Sequence, residues 1–125
     1  MSAHHAVIWV DHVEARIFRF VGAEEIEKLD LHSHRHGHVH NRHSVSGRRE
    51  TDLEYLRAVI DAVKGAEEFL VVGPGSAKLE LVREVHKHHP ELEPRLVGVE
   101  TVDHPTDGQL LAYARTYFRK ADALR

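Results

Sequence analysis

Histidine takes every second position in Leu31-His32-Ser33-His34-Arg35-His36-Gly37-His38-Val39-His40, and His43 follows three residues later. In an extended chain residues i and i+2 project from the same side, so one face of this stretch carries His32, His34, His36, His38 and His40. Two or three such rings can converge on Zn²⁺, Ni²⁺ or Cu²⁺, which makes these five the candidate metal ligands. The stretch has no nearby carboxylate to orient the rings, Gly37 loosens it, and it holds more histidines than one ion needs. A composition of this kind equally fits a solvated polar loop that picks up metal adventitiously, so no cofactor is required. The same stretch is cationic. Over residues 31–50 four arginines, Arg35, Arg42, Arg48 and Arg49, stand against Glu50 alone, a charge of +3, and the chain's total of −3 leaves −6 on the other 105 residues. A basic element on an acidic body suits gripping a polyanion at one place and is poor for coating DNA with the whole surface. The reading preferred here is an RNA-contacting loop over 32–50. In it Arg35, Arg42, Arg48 and Arg49 meet phosphates, while His34, His36, His38, His40 and His43 stack on bases or donate hydrogen bonds in a pH-dependent way.

Three other clusters have chemical potential and a simpler explanation beside it. Gly73-Pro74-Gly75-Ser76-Ala77-Lys78 follows an apolar run and opens a helix, where free backbone amides can receive an anion. It lacks the spacing of a Walker loop or a dinucleotide fingerprint, and a tight turn with Ser76 as helix cap accounts for it. Asp103 and His104 can form an acid/base pair at the end of a strand, with Ser76 across the crevice as the available nucleophile. Thr106 and Gln109 have the spacing of a capping box and need no catalytic role. His86, His88 and His89 close a helix, where they complement the negative end of its dipole. There is no cysteine, which excludes disulfides, thiolate catalysis and Cys-containing zinc fingers.

The elements that must position these groups follow from the apolar periods. Ala6-Val7-Ile8-Trp9-Val10 reads as a buried strand, and Val13 to Ile17 as a second that pairs with it in a hairpin, with a bulge or twist where Phe18 and Phe20 change phase. Glu25 to Leu31 supplies a third strand. From Thr51 the period becomes helical, through Leu53, Leu56, Ile60 and Val63, with Thr51 and Glu54 as a capping box. Phe69-Leu70-Val71-Val72 is a continuous apolar strand, a helix begins near Ser76, Val97, Val99 and Val102 mark a fifth strand, and the last helix turns its core positions Leu110, Ala114, Tyr117 and Ala121 inward. The order is β-β-β-α-β-α-β-α. A strand, helix and strand in succession form a parallel right-handed crossover, which predicts one three-layer α/β domain over residues 1–125 around a mixed five-stranded sheet. The apolar start is too brief for a signal sequence or a membrane span, so the expected location is the cytoplasm, with no membrane partner.

In this arrangement the chain resembles the middle domain of the eukaryotic and archaeal class-1 peptide release factors and of Pelota, and in particular small stand-alone bacterial versions described as translational machinery proteins. The resemblance rests on the opening Ala6-Val7-Ile8-Trp9-Val10-Asp11 hairpin and a long polar loop before the first helix. It also rests on Phe69-Leu70-Val71-Val72-Gly73-Pro74-Gly75-Ser76-Ala77-Lys78-Leu79-Glu80-Leu81 and on Leu96-Val97-Gly98-Val99-Glu100-Thr101-Val102-Asp103. It implies a ribonuclease H-like α/β fold and a partner among the ribosome, rRNA and tRNA. In release factors the loop at the position of 32–49 carries a Gly-Gly-Gln tripeptide that promotes peptidyl-tRNA hydrolysis. That tripeptide is absent from this stretch, as it is from the Pelota loop, and Asp107-Gly108-Gln109 precedes the last helix instead of the first. The expectation is therefore a non-catalytic, translation-associated binding protein, with a Zn²⁺ or Ni²⁺ binder and a peptidyl-tRNA ester hydrolase as the alternatives.

Overall fold

Short runs of β-branched and aromatic residues separated by turn chemistry give the strands, and 3.6-residue periods give the helices. A computed structural model of the chain describes residues 4–22, 24–33 and 52–124. Along them run β1 (His5–Val10), β2 (Glu14–Phe20), β3 (Ile26–His32), α1 (Leu53–Val63), β4 (Glu68–Gly73) and α2 (Ala77–His88). A short 3-10 helix (Pro90–Arg95), β5 (Leu96–Thr101) and α3 (Asp107–Ala123) complete the order. The sheet reads β3-β2-β1-β4-β5. β1 pairs antiparallel with β2, and β2 with β3, while β1 pairs parallel with β4, and β4 with β5. This is the mixed five-stranded sheet that the order of elements predicts.

Two apolar layers sandwich it. On one face Ala6, Ile8 and Val10 of β1 and Phe69 and Val71 of β4 pack against Leu56 and Ile60 of α1 and Leu81 of α2. On the other, Val7, Trp9, Leu70 and Val72 pack against Leu110, Ala114 and Phe118 of α3. Burial on both faces explains why β1 and β4 are continuously apolar.

It also corrects the expected bulge in β2. The strand pairs in unbroken register with both neighbours, because Ala15 and Ile17 serve one layer and Phe18 and Phe20 the other. The register shift lies at Phe69/Leu70 in the β4–β5 pair. The cap of α1 is Asp52, whose side chain accepts from the Glu54 amide, and Leu53 points outward, 50% exposed. Thr51 lies outside the described residues. In α3 the third core position is Phe118, while Tyr117 is only partly buried and donates its hydroxyl to Glu100 Oε2 at 3.1 Å.

Candidate functional site

Antiparallel pairing twice over returns β3 to the direction of β1, so β1, β3, β4 and β5 all end at one edge of the sheet. In open α/β sheets that carboxyl edge is where crevices form. Here it gathers the turn after Val10, the turn after Gly73, the segment after Thr101, and both stems of the histidine- and arginine-rich stretch, Ser33 and Asp52.

Each turn is fixed by its own chemistry. Asp11 Oδ1 accepts from the Val13 and Glu14 amides at 2.8 Å each, which sets the β1–β2 turn, and the Asp11 carbonyl accepts from the Tyr55 hydroxyl at 3.0 Å, which ties α1 to it. Burial pushes the Tyr55 phenol well above its ordinary range, and the Asp11 and Glu14 charges add to the effect. Tyr55 therefore remains a neutral donor. The Ser33 amide donates to the Val13 carbonyl at 2.8 Å, and Asp52 caps α1. Both stems are buried, Ser33 at 6% exposure and Asp52 at 8%. Among the described residues Asp52 Oδ2 is a buried side-chain oxygen with no hydrogen-bond partner.

At the second turn the Ser76 side chain makes no cap hydrogen bond, and its Oγ lies 3.2 Å from His12 Nε2. Lys78 is 7% exposed and donates to the Gly75 carbonyl at 2.6 Å, so it braces its own turn. At the third segment His104 Nδ1 lies 2.9 Å from Asp103 Oδ1, and Nε2 lies 4.0 Å from Asp11 Oδ2. The His104 ring packs on Trp9, centroids 5.0 Å apart, and Trp9 Nε1 donates to the Asp103 carbonyl at 2.6 Å.

The expected Asp103–His104 pair is thus formed, but the partner of Ser76 is His12. His12 stands in the β1–β2 turn, and nothing in the local sequence marks it as a partner of Ser76. Its signal lies in the parallel β1–β4 pairing, which sets the turns after Val10 and Gly73 side by side. A hydroxyl within reach of an imidazole meets the first geometric requirement of nucleophilic catalysis. Thr106 and Gln109 form the capping box: the Gln109 amide donates to Thr106 Oγ1 at 3.1 Å and the Thr106 amide to Gln109 Oε1 at 2.9 Å. His86 serves structure, its Nδ1 2.7 Å from Glu93 Oε2 of the 3-10 helix.

Of the candidate metal and RNA ligands, His32 is the last residue of β3, its Nε2 3.6 Å from Glu14 Oε1. The third strand therefore runs to His32, one residue beyond the expected end at Leu31. Arg35, Arg42, Arg48, Arg49, His34, His36, His38, His40 and His43 lie outside the described residues. No helix among the described residues is long and apolar enough to cross a membrane.

No family model matches the chain, and no curated protein matches it. Solved structures do. Pelota of Thermoplasma acidophilum superposes with a TM-score of 0.60 at 18% identity, over 90% of this chain and 32% of that one. Pelota of Archaeoglobus fulgidus gives 0.62 at 13% identity, over 93% and 32%. The archaeal translation termination factor aRF1 gives 0.57 at 20%, over 82% and 31%. The chain spans about a third of the length of those proteins. Identities this low carry architecture and leave residue roles open. The resemblance read from the strand-Gly-x-x-x-x-Lys segment is borne out at that level: this chain has the α/β fold of the release-factor and Pelota middle domain.

Proposed function

We propose that the chain is a translation-associated binding protein that engages ribosomal or transfer RNA through its 34–51 segment without catalysing a reaction. The observation that carries this reading is the placement of Ser33 and Asp52: both are buried at the carboxyl edge, and between them runs a sequence holding four arginines and five histidines. The fold supports it, since aRF1 is by name a translation termination factor. A scaffold that pins both ends of a cationic segment presents it as one unit, and guanidinium groups then meet phosphates in bidentate fashion.

The test is co-sedimentation of the full chain with ribosomes over a range of salt. Replacing Arg35, Arg42, Arg48 and Arg49 by alanine should abolish pelleting at low salt. Each single replacement should flatten the slope of log affinity against log salt by roughly 0.7, the value for one phosphate contact on a single strand. Unchanged pelleting overturns the reading. The hydrogen bond between His12 and Ser76 favours one second reading, an ester hydrolase with Ser76 as nucleophile and His12 as base. It requires turnover of an aminoacyl or peptidyl ester by the purified chain that Ser76→Ala removes, and absence of turnover ends it.

A further inference from the structure

The opposite edge of the sheet, where β1 and β4 begin, gathers donor atoms of another kind. His5 and Glu68 are the first residues of their strands and register partners in the parallel pair, with His5 Nε2 3.3 Å from Glu68 Oε1. Asp122, on the last turn of α3, completes the set: one ligating atom from each of the three lies within 4.8 Å of the others. The side chains of His5 and Glu68 are 28% and 21% exposed, so water competes with them only in part. Beside them opens a cleft of about 350 Å³ whose wall includes His5, Phe20, Arg115, Phe118, Arg119 and Asp122.

An ion pair between His5 and Glu68 needs no third member. Asp122 converging on the same point adds a second carboxylate to the imidazole, a mixed donor set of the kind that holds a divalent cation. The spacing fits an ion as well. With metal–ligand bonds of about 2.0–2.1 Å, neighbouring donors in a tetrahedral shell stand about 3.3 Å apart, which is the His5–Glu68 separation. The His5 ring packs against Phe118, centroids 4.4 Å apart, so its orientation is held from behind. One imidazole with two carboxylates suits zinc-class divalent ions better than Ca²⁺ or Mg²⁺, which take all-oxygen shells.

We propose that His5, Glu68 and Asp122 bind one divalent transition-metal ion, Zn²⁺ foremost, with a fourth position open toward the cleft. Three protein ligands and one exchangeable position are the arrangement of a reactive zinc site, in contrast to a closed structural one. The site uses none of the histidines of the 34–51 sequence, and the experiment must keep the two sets of ligands apart. The full chain with His34, His36, His38, His40 and His43 all changed to glutamine, checked for an unchanged melting profile, is titrated with Co²⁺ followed by visible absorption and with Zn²⁺ followed by calorimetry. One ion per chain is expected, with affinity falling at least about tenfold in Asp122→Asn and the Co²⁺ band lost. Asp122 is exposed on α3, so this variant leaves the core intact; His5→Gln should behave alike. Failure of the parent chain to take up a stoichiometric ion, or binding that Asp122→Asn leaves unchanged, overturns the proposal.

Discussion

Substituting Gly73 by alanine tests the central contact on which both edges of the sheet depend. A Cβ at Gly73 would run into the carbonyl oxygen of Val10, a backbone atom of the neighbouring strand that no rotamer change can move aside. At Gly75, two residues on, a Cβ meets nothing within 4 Å. One methyl group forced into a packed interior destabilises by about 1–3 kcal/mol, and an immovable obstacle puts Gly73→Ala at the upper end. At about 4 °C per kcal/mol for a domain of this size, the melting temperature should fall by about 10 °C. Gly75→Ala should stay within about 0.5 kcal/mol of the parent, or gain slightly through the loss of unfolded-state freedom. The chain's single tryptophan, Trp9, is fully buried in β1 beside Val10, so its fluorescence during urea unfolding reports the region concerned. If Gly73→Ala proves as stable as Gly75→Ala, β1 and β4 do not approach as described. The pairings of His12 with Ser76 and of His5 with Glu68 would then fail together.

Two further outcomes follow from the stems and from α3. Asp52→Ala should lower stability by about 1 kcal/mol through loss of the α1 cap, whereas Asp52→Asn should retain most of it, as measured by urea unfolding. Asp107 Oδ1 accepts from Arg16 at 2.8 Å and Oδ2 from Lys28 at 2.7 Å, and these bonds, Lys28 first, hold its carboxyl below its ordinary value of 3.8. A depressed acid contributes stability that is complete above the unfolded value and lost as pH falls through the folded one. Between pH 5 and about pH 2, therefore, thermal stability should fall less steeply in Asp107→Asn than in the parent.

The elements most legible in the sequence are those whose apolar pattern and caps are local. β1, β4 and the Thr106–Gln109 box could be read directly, because strand burial and cap hydrogen bonds involve neighbours in the chain. β2 misled because a strand buried on both faces abandons alternation, and Phe18 then imitates a bulge. The α1 cap was displaced by one residue since Thr51 and Asp52 are both competent and only the path of the chain decides between them. What the local pattern could not disclose is proximity across the sheet. Ser76 was visible as a possible nucleophile, yet its neighbour depends on β4 lying beside β1, a consequence of strand order. Lys78, which a motif reading would offer to an anion, is absorbed by the Gly75 carbonyl. His5, Glu68 and Asp122 come from three distant stretches, and only the parallel register with α3 above it unites them.

The carboxyl edge also decides how a polyanion can be held. The carboxyl edge that holds the stems also carries Asp11, Glu14 and Asp103, with side chains 25%, 45% and 91% exposed. Asp11 is committed to its turn, while Glu14, 3.6 Å from His32, and Asp103, 2.9 Å from His104, carry exposed carboxylates at the edge that an RNA held by the segment would approach. On the proposed function, these carboxylates would repel the phosphates that the arginines of the segment attract, and the affinity would be set by the difference. Taking about 8 Å to the nearest phosphate, each carboxylate opposes binding by about 0.4 kcal/mol in 10 mM salt and about 0.2 kcal/mol at 150 mM. The double variant Glu14→Gln/Asp103→Asn should therefore bind ribosomes or a single-stranded RNA about fourfold more tightly at the lower salt and about twofold at the higher. Fluorescence anisotropy of a labelled RNA reads both values. An unchanged affinity at 10 mM salt would mean that no phosphate comes near this edge, and an RNA held by a segment rooted there could not avoid doing so.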